Sequence, residues 1–226
     1  MSGDLRAGSD VPREVLDIAA RMFAGLGYDN TSVRMIICAG ADAEAVAAAG
    51  GKTGLYRAVM EHAHESVVSA LEPAISQITP DAAGVKRIAD AFLNFSIENP
   101  AVGALWLHRS LADAADISDL EPRYLATEYE MVRDAVRGAV SLNLDLQMAI
   151  LTIEWCVYGF IRGGILDDQG RRVGPDDKAV LKRFRKYLHN LIDAILSDGS
   201  TPATPAGRQR SAWRAMLPRS LSGRKQ

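Results

Sequence analysis

The residues best equipped for chemistry are few: two cysteines, four histidines and the string Gly50-Gly51-Lys52-Thr53. That string looks like the end of a phosphate-binding loop, where glycine N–H groups and a lysine cradle a nucleotide. The first glycine of such a loop is missing at the required distance and no strand-forming run precedes it, so nucleotide binding is not inferred. His62 and His64 stand two apart, a spacing that does not share a helical face, unlike zinc ligands at i and i+4. Cys38 and Cys156 are far apart in sequence and outside any metal-ligand spacing, and both are expected to be buried as small apolar side chains. His108 beside Arg109 has the chemistry to orient an anionic or polar ligand, or to cap a helix. There is no nucleophile elbow and no carboxylate or histidine pair at metal-ligand spacing. The expectation is therefore a non-enzyme with no catalytic residues, no metal and no cofactor.

Composition narrows the class. Of 226 residues, 48% are hydrophobic and 24% charged, enough apolar surface for a globular core. The longest apolar stretch, Leu144 to Leu166, is interrupted by Asp145, Glu154 and Arg162, each costly at a bilayer centre, so no membrane span is read there. No basic start is followed by an apolar run, and a cytoplasmic location is expected. The formal net charge of −2 gives no overall attraction to nucleic acid, which leaves that role to a local basic face.

The positioning elements read as helices throughout. Val15, Ile18, Ala19, Met22, Phe23 and Leu26 recur at spacings of three and four from Val11 onward, with Gly25 and Gly27 to end the helix. Thr31 or Ser32 can cap a second helix from Val33 to about Ala39, which Gly40 closes. Asp42 caps a short third helix through Ala49, and a fourth starts at Lys52. A loop at 78–84 follows, with a border expected near Pro73 to Pro80. Helices are then expected over 85–98, 101–115, 122–140, about 146–165 and 175–196, about nine in all. The resulting layout is an all-α chain. It has an unstructured start (1–10), a three-helix helix-turn-helix head (11–55), a connecting helix and loop (56–80), a helical-bundle body (81–197) and a disordered basic tail (198–226).

Two short helices about a tight turn at Gly40 are the arrangement that puts one helix into a major groove. The head also carries Val15-Leu16-Asp17-Ile18-Ala19-Ala20 with Phe23 and Gly27-Tyr28, then Thr31-Ser32-Val33-Arg34 with Ile36. Ala39-Gly40 follows, and then Gly51-Lys52 with Leu55-Tyr56-Arg57-Ala58-Val59. With these landmarks in order over about sixty residues, the chain resembles the TetR/AcrR family of transcriptional regulators. The resemblance implies a homodimer on a palindromic DNA operator, with a small-molecule effector in the body changing the separation of the heads. Repression relieved by the effector is its usual form. It further implies that Thr31 and Lys52, at helix starts, contact phosphates, with Ser32 and Arg34 alongside, and that the third helix offers Asp42, Ala43, Glu44 and Ala47 to the bases.

The third helix departs from the family pattern. It runs Ala41-Asp42-Ala43-Glu44-Ala45-Val46-Ala47-Ala48-Ala49-Gly50, without the usual basic and aromatic side chains. Over residues 11–72 there are eight acidic residues against five basic ones. Two readings stay open: a regulator with weak or narrow operator preference, and a ligand-binding or protein-interaction module of the same fold that has lost sequence-specific DNA binding. Arg208, Arg210, Arg214, Arg219, Arg224 and Lys225 make the tail basic.

In the body, Phe92, Phe95, Trp106, Met131 and Trp155 are the candidate ligand-binding residues, the tryptophans because a buried indole N–H seeks a partner. The last two helices offer Ile150, Ile153, Val157 and Ile161, and Phe184, Leu188 and Leu191. That is more apolar face than one core needs, and it points to a dimer interface.

Overall fold

In the computed structural model, residues 11–140 and 143–198 are described, and among them nine α-helices carry the architecture. Helix α1 (Arg13–Leu26) opens with the N–H groups of Val15 and Leu16 donating to the Pro12 carbonyl at 2.9 and 3.1 Å, and buries Val15, Leu16, Ile18, Ala19 and Phe23. Helix α2 (Val33–Cys38) is capped by Ser32, whose hydroxyl accepts from Met35 N–H at 3.2 Å. Helix α3 (Ala43–Ala48) is capped by Asp42, which accepts from Ala45 N–H at 2.7 Å. Gly50, with φ +87°, makes the left-handed turn into α4 (Gly51–Ser76), where any side chain would be strained. The border expected at Pro73 to Pro80 does not start at Pro73: that residue lies in the last turn of α4.

At 26 residues α4 is about 39 Å long and serves both ends of the molecule. Its first half packs on α1 and α3, and its second half on α5 (Ala82–Glu98) and α7 (Ala126–Val136). Tyr56 stands edge-on to Phe23 at 5.0 Å and 4.8 Å from Tyr28, an aromatic triad that ties α4 to α1 and to the turn after it. The same core runs on through Phe95, Val102, Leu105, Trp106, Ala114, Ile117, Leu120 and Tyr124 into the body. Head and body thus share one apolar interior.

Helix α6 (Pro100–Ser110) stops five residues before the expected Ala115. Ala112 and Ala114 have φ of +66° and +54°, a left-handed conformation that costs an L-residue about 1–2 kcal/mol and cannot continue a helix. A single π-turn (Glu121–Leu125) leads directly into α7, and a 3-10 turn (Arg137–Ala139) ends it. Helix α8 (Leu146–Gly163) is capped by Asp145. The expected loop before α9 (Lys178–Asp198) holds a two-strand hairpin, Ile165–Leu166 against Arg172–Val173, turned around the Asp167 carboxylate. A second apolar cluster of Ala89, Leu93, Val157, Leu188 and Ile192 joins α5, α8 and α9, beside the stacked rings of Phe160 and Phe184. No helix among the described residues is long and apolar enough to cross a membrane. The expected unstructured start and basic tail lie outside the described residues, save Asp198 at the end of α9.

Tyr56 also carries the core's clearest defect, a buried hydroxyl without a hydrogen-bond partner. Tyr56→Phe should leave stability unchanged or raise it by up to about 1 kcal/mol, because an unpaired buried hydroxyl is lost without changing shape. Phe23→Ala in the same triad should cost about 3–5 kcal/mol. Urea titrations of the two variants check both values, and a clear loss with Tyr56→Phe counts against this description of the core.

Candidate nucleic-acid interface and ligand cavity

The head presents a helix-turn-helix held from beneath by Ile36, Val46 and Leu55, all at most 1% exposed. Its open surface carries Ser32, Arg34, Met35, Ile37 and Cys38 from α2, and Asp42, Ala43, Glu44, Ala47 and Ala48 around α3. Thr31 is not on that surface. It is 1% exposed and its hydroxyl donates to the Gly27 carbonyl at 2.6 Å, so it braces the turn and has no group to offer a phosphate. Its N–H is also taken, by the Tyr28 carbonyl. Lys52 sits at the start of α4, but its ammonium lies over the Tyr28 ring, 4.0 Å from the centroid, and 3.5 Å from the Asp29 carbonyl. The Asp42 carboxylate serves as a helix cap. Arg34 is the basic side chain left on the open face of α2 and α3. Cys38 is exposed and Cys156 half-buried, against the expectation that both are buried, because Cys38 falls on the outer side of α2.

The joint between head and body is polar and dense. Asp113, in the turn after α6, accepts from the N–H groups of Tyr28 and Asp29 at 2.6 and 2.8 Å. Gly27 has φ +81°, where any side chain would be strained, and a Cβ there would stand 3.0 Å from that carboxylate. His108 Nε2 lies 3.1 Å from the Ala24 carbonyl, and Arg57 forks onto Asp119 at 2.6 and 2.7 Å. The Arg109 side chain, 6% exposed, bonds both oxygens of Glu121 at 2.7 and 2.6 Å and donates to the carbonyls of Ala114 and Ile117. His108 and Arg109 are thereby committed to the joint and do not face a ligand.

The body holds a cavity of about 470 Å³ between α4, α5, the π-turn, α7, α8 and α9. Its wall is mainly aliphatic, with Phe92, Tyr129 and Tyr158 as rings and Glu121, Glu128 and Glu154 as carboxylates. The π-turn, one residue wider than an α-turn, brings Glu121, Pro122 and Leu125 to the wall. His64 Nδ1 lies 2.8 Å from Glu128. Burial pushes the Glu154 carboxyl up to about 7, with the nearby Glu128 charge adding to it. Burial also raises Glu128, against the opposing pull of His64. Gly103 makes room for Tyr158, whose ring would meet a Cβ there at 2.7 Å.

Of the five expected ligand residues, only Phe92 lines this cavity. Phe95 and Trp106 are buried in the core shared with the head, and Met131 packs against that core. Trp155 is 56% exposed, one residue past Glu154 and so a quarter-turn away from the cavity. Glu128 and Glu154 were missed, although a lone carboxylate inside the most apolar helix was a signal that could have found Glu154.

The expected dimer stripe is partly engaged within the chain. Val157 and Leu188 are fully buried within one chain, Ile150 and Ile153 line the cavity, and Ile161 and Phe184 pack on the second cluster. Leu191 is half-buried. The outer face of α8 and α9 instead exposes Met148, Trp155 and Tyr187, with Gly159 open beside them.

Solved structures share this arrangement. The TetR family transcriptional regulator PfmR from Thermus thermophilus is 20% identical, over 81% of this chain and 94% of that chain, with a TM-score of 0.60. The ketosteroid transcriptional regulator KstR2 of Mycobacterium tuberculosis is 17% identical over 85% and 96%, with a TM-score of 0.56. HlyIIR, a hemolysin II transcriptional regulator, is 19% identical over 81% and 93%, with a TM-score of 0.51. No family model and no curated protein matches the sequence. The chain has the fold of the TetR-family transcriptional regulators, and at these identities the likeness is one of fold.

The raised Glu154 pKa makes a stability prediction. A carboxyl bound more tightly to its proton in the folded chain destabilises the fold as pH climbs from 4.5 through about 7. Glu154→Gln should therefore match the parent near pH 4 and exceed it above pH 7 by up to about 3 kcal/mol, at 1.36 kcal/mol per pKa unit. Thermal melts of both proteins across this range test it, and a difference that does not grow with pH would remove the buried-carboxylate account.

Proposed function

We propose that the protein is a TetR-type transcriptional regulator acting in the cytoplasm as a homodimer and a repressor, whose DNA binding is modulated by a small apolar or amphipathic ligand in the body cavity. The observation that carries this reading is the chain of contacts from cavity to head. Glu121 is part of the cavity wall, Arg109 grips it, the turn that Arg109 organises carries Asp113, and Asp113 holds the Tyr28 and Asp29 N–H groups just before α2. A ligand that moves the π-turn moves the fork, and the head follows. The exposed Trp155 and Tyr187 support pairing through the outer face of α8 and α9, since apolar rings left in water favour a partner surface.

The open face of α3 favours a second reading. With Thr31 buried, Lys52 engaged on Tyr28 and only alanines and acids on α3, little remains to read bases or neutralise phosphates. In that reading the same fold binds ligand or protein partners and has weakened DNA binding.

Binding to the DNA upstream of its own gene, against random competitor at two salt concentrations and with or without residues 199–226, separates the two. Competitor-resistant binding by the truncated chain supports the regulator; binding that vanishes with the tail, or is equal for random DNA, supports the second reading. Arg34→Ala should weaken binding to every sequence and lower the salt slope by about one. Asp113→Ala should keep DNA affinity within about tenfold while abolishing its response to ligand, since it cuts the link and leaves the DNA face intact. Trp155→Asp should yield a monomer by sedimentation.

A further inference from the structure

The cavity wall is electrically one-sided. Among its described residues are three carboxylates and no lysine, arginine or histidine. Two carboxylates have partners behind the wall: Glu121 is forked by Arg109, and Glu128 lies against His64. Glu154 has no hydrogen-bond or ion-pair partner among the described residues, although it stands in a mainly apolar helix and lines the cavity. We propose, on the reading that this cavity is the ligand site, that it takes an organic cation: a compact apolar body bearing one ammonium or quaternary nitrogen, held by Glu154 and Glu128.

The physical argument is complementarity. An anion in an apolar wall is either neutralised by a proton or left short of hydration, and a weakly hydrated cation from the ligand is a partner that offsets this loss. Burial and the neighbouring Glu128 charge hold Glu154 near 7, so the site is poised between these two states. Ring faces strengthen the choice, because Phe92 and Tyr158, edge-to-face at 5.5 Å, stand on the same wall and attract a desolvated cation. A carboxylate ligand such as a fatty acid meets the unpaired Glu154 and two carboxylates whose partners Arg109 and His64 are already engaged, with no cation on the wall itself. A neutral ligand of the same shape gains the aliphatic contacts but leaves Glu154 as it was. The volume, about 470 Å³, lies within the range of drug-sized ligands.

Three probes of equal chain length test the charge alone: decyltrimethylammonium, n-decanol and decanoate, titrated calorimetrically into the full-length protein at about pH 7.5, below micelle formation. Pairing a desolvated charge predicts decyltrimethylammonium at least about tenfold tighter than n-decanol, and decanoate weakest. In Glu154→Gln that preference should fall to within about threefold while n-decanol binding stays unchanged, which shows the cavity intact. Decyltrimethylammonium binding no tighter than n-decanol, including no binding by either, overturns the proposal, as does a preference that survives Glu154→Gln. DNA binding measured in parallel keeps the two readings apart. Selective ammonium binding that leaves DNA affinity unchanged supports the cation site and defeats ligand control. Release of DNA by n-decanol as effective as by the ammonium supports ligand control and defeats the cation site.

Discussion

The buried Arg109 fork is the interaction on which the rest of the structure depends. An arginine presents five donors in a fixed plane, and here they meet both oxygens of Glu121 and three main-chain carbonyls of a turn that is otherwise strained. Burial works against the charge of Glu121, and the guanidinium more than offsets it, so the carboxyl stays below its ordinary pKa. Two left-handed alanines within three residues would not persist without such an anchor. Glu121 is 41% exposed, so solvent screens part of the pair and breaking it costs less than breaking a fully buried one. Lysine is no substitute, as its three-donor ammonium lacks the planar fork that meets both carboxylate oxygens and the carbonyls together.

What the fork holds in place explains how much could be read from sequence. The periodicity of Val15, Ile18, Ala19, Met22 and Phe23, the Ser32 and Asp42 caps and the glycine at 50 are local signals, and each marks the element where it stands. The early end of α6 is not local, since its cause is a contact between Arg109 and a carboxylate twelve residues further on. The same difference separates the two ends of the site. Helix starts in the head were legible, but whether Thr31 faces water depended on the Gly27 carbonyl lying beneath it. In the body, apolar residues at helical spacing mark the inner face of α8 and α9, so the strongest stripe identified the core and the cavity. The outer face was marked by Trp155 and Tyr187 singly, one on each helix, a pattern that periodicity discounts.

The head combines a well-formed helix-turn-helix with a surface poor in DNA-reading groups. Alanine contributes contact with a thymine methyl, Asp42 is consumed as a cap, and Glu44 adds repulsion unless a cytosine amino group meets it. Eight acids against five bases across residues 11–72 weaken the non-specific term, which depends on counterions released from phosphates. The turn between α1 and α2 is nonetheless held by the same joint that reaches the cavity, so the entry into α2 is in contact with the body. The shape and a path of contacts from head to body are present, while the chemical readout on α3 is sparse.

Glu154 puts the same tension inside the body. A glutamine of equal shape would leave no charge to desolvate, and an aliphatic residue would extend the apolar wall of α8, so the carboxylate is a cost to the fold at neutral pH. Arg162, one turn beyond Tyr158 on the same helix, is the nearest cation in α8, but it donates to the Gly103 carbonyl and is turned away from the wall. The helix therefore carries one charge it satisfies and one it leaves open, both within an apolar run. An unsatisfied charge facing a void differs from one facing solvent in what can relieve it. Water can enter at some entropic cost, a proton can bind as pH falls, or a cation can bring both charge and apolar surface. Only the last also fills the space, which ties the chemistry of the wall to the volume it encloses.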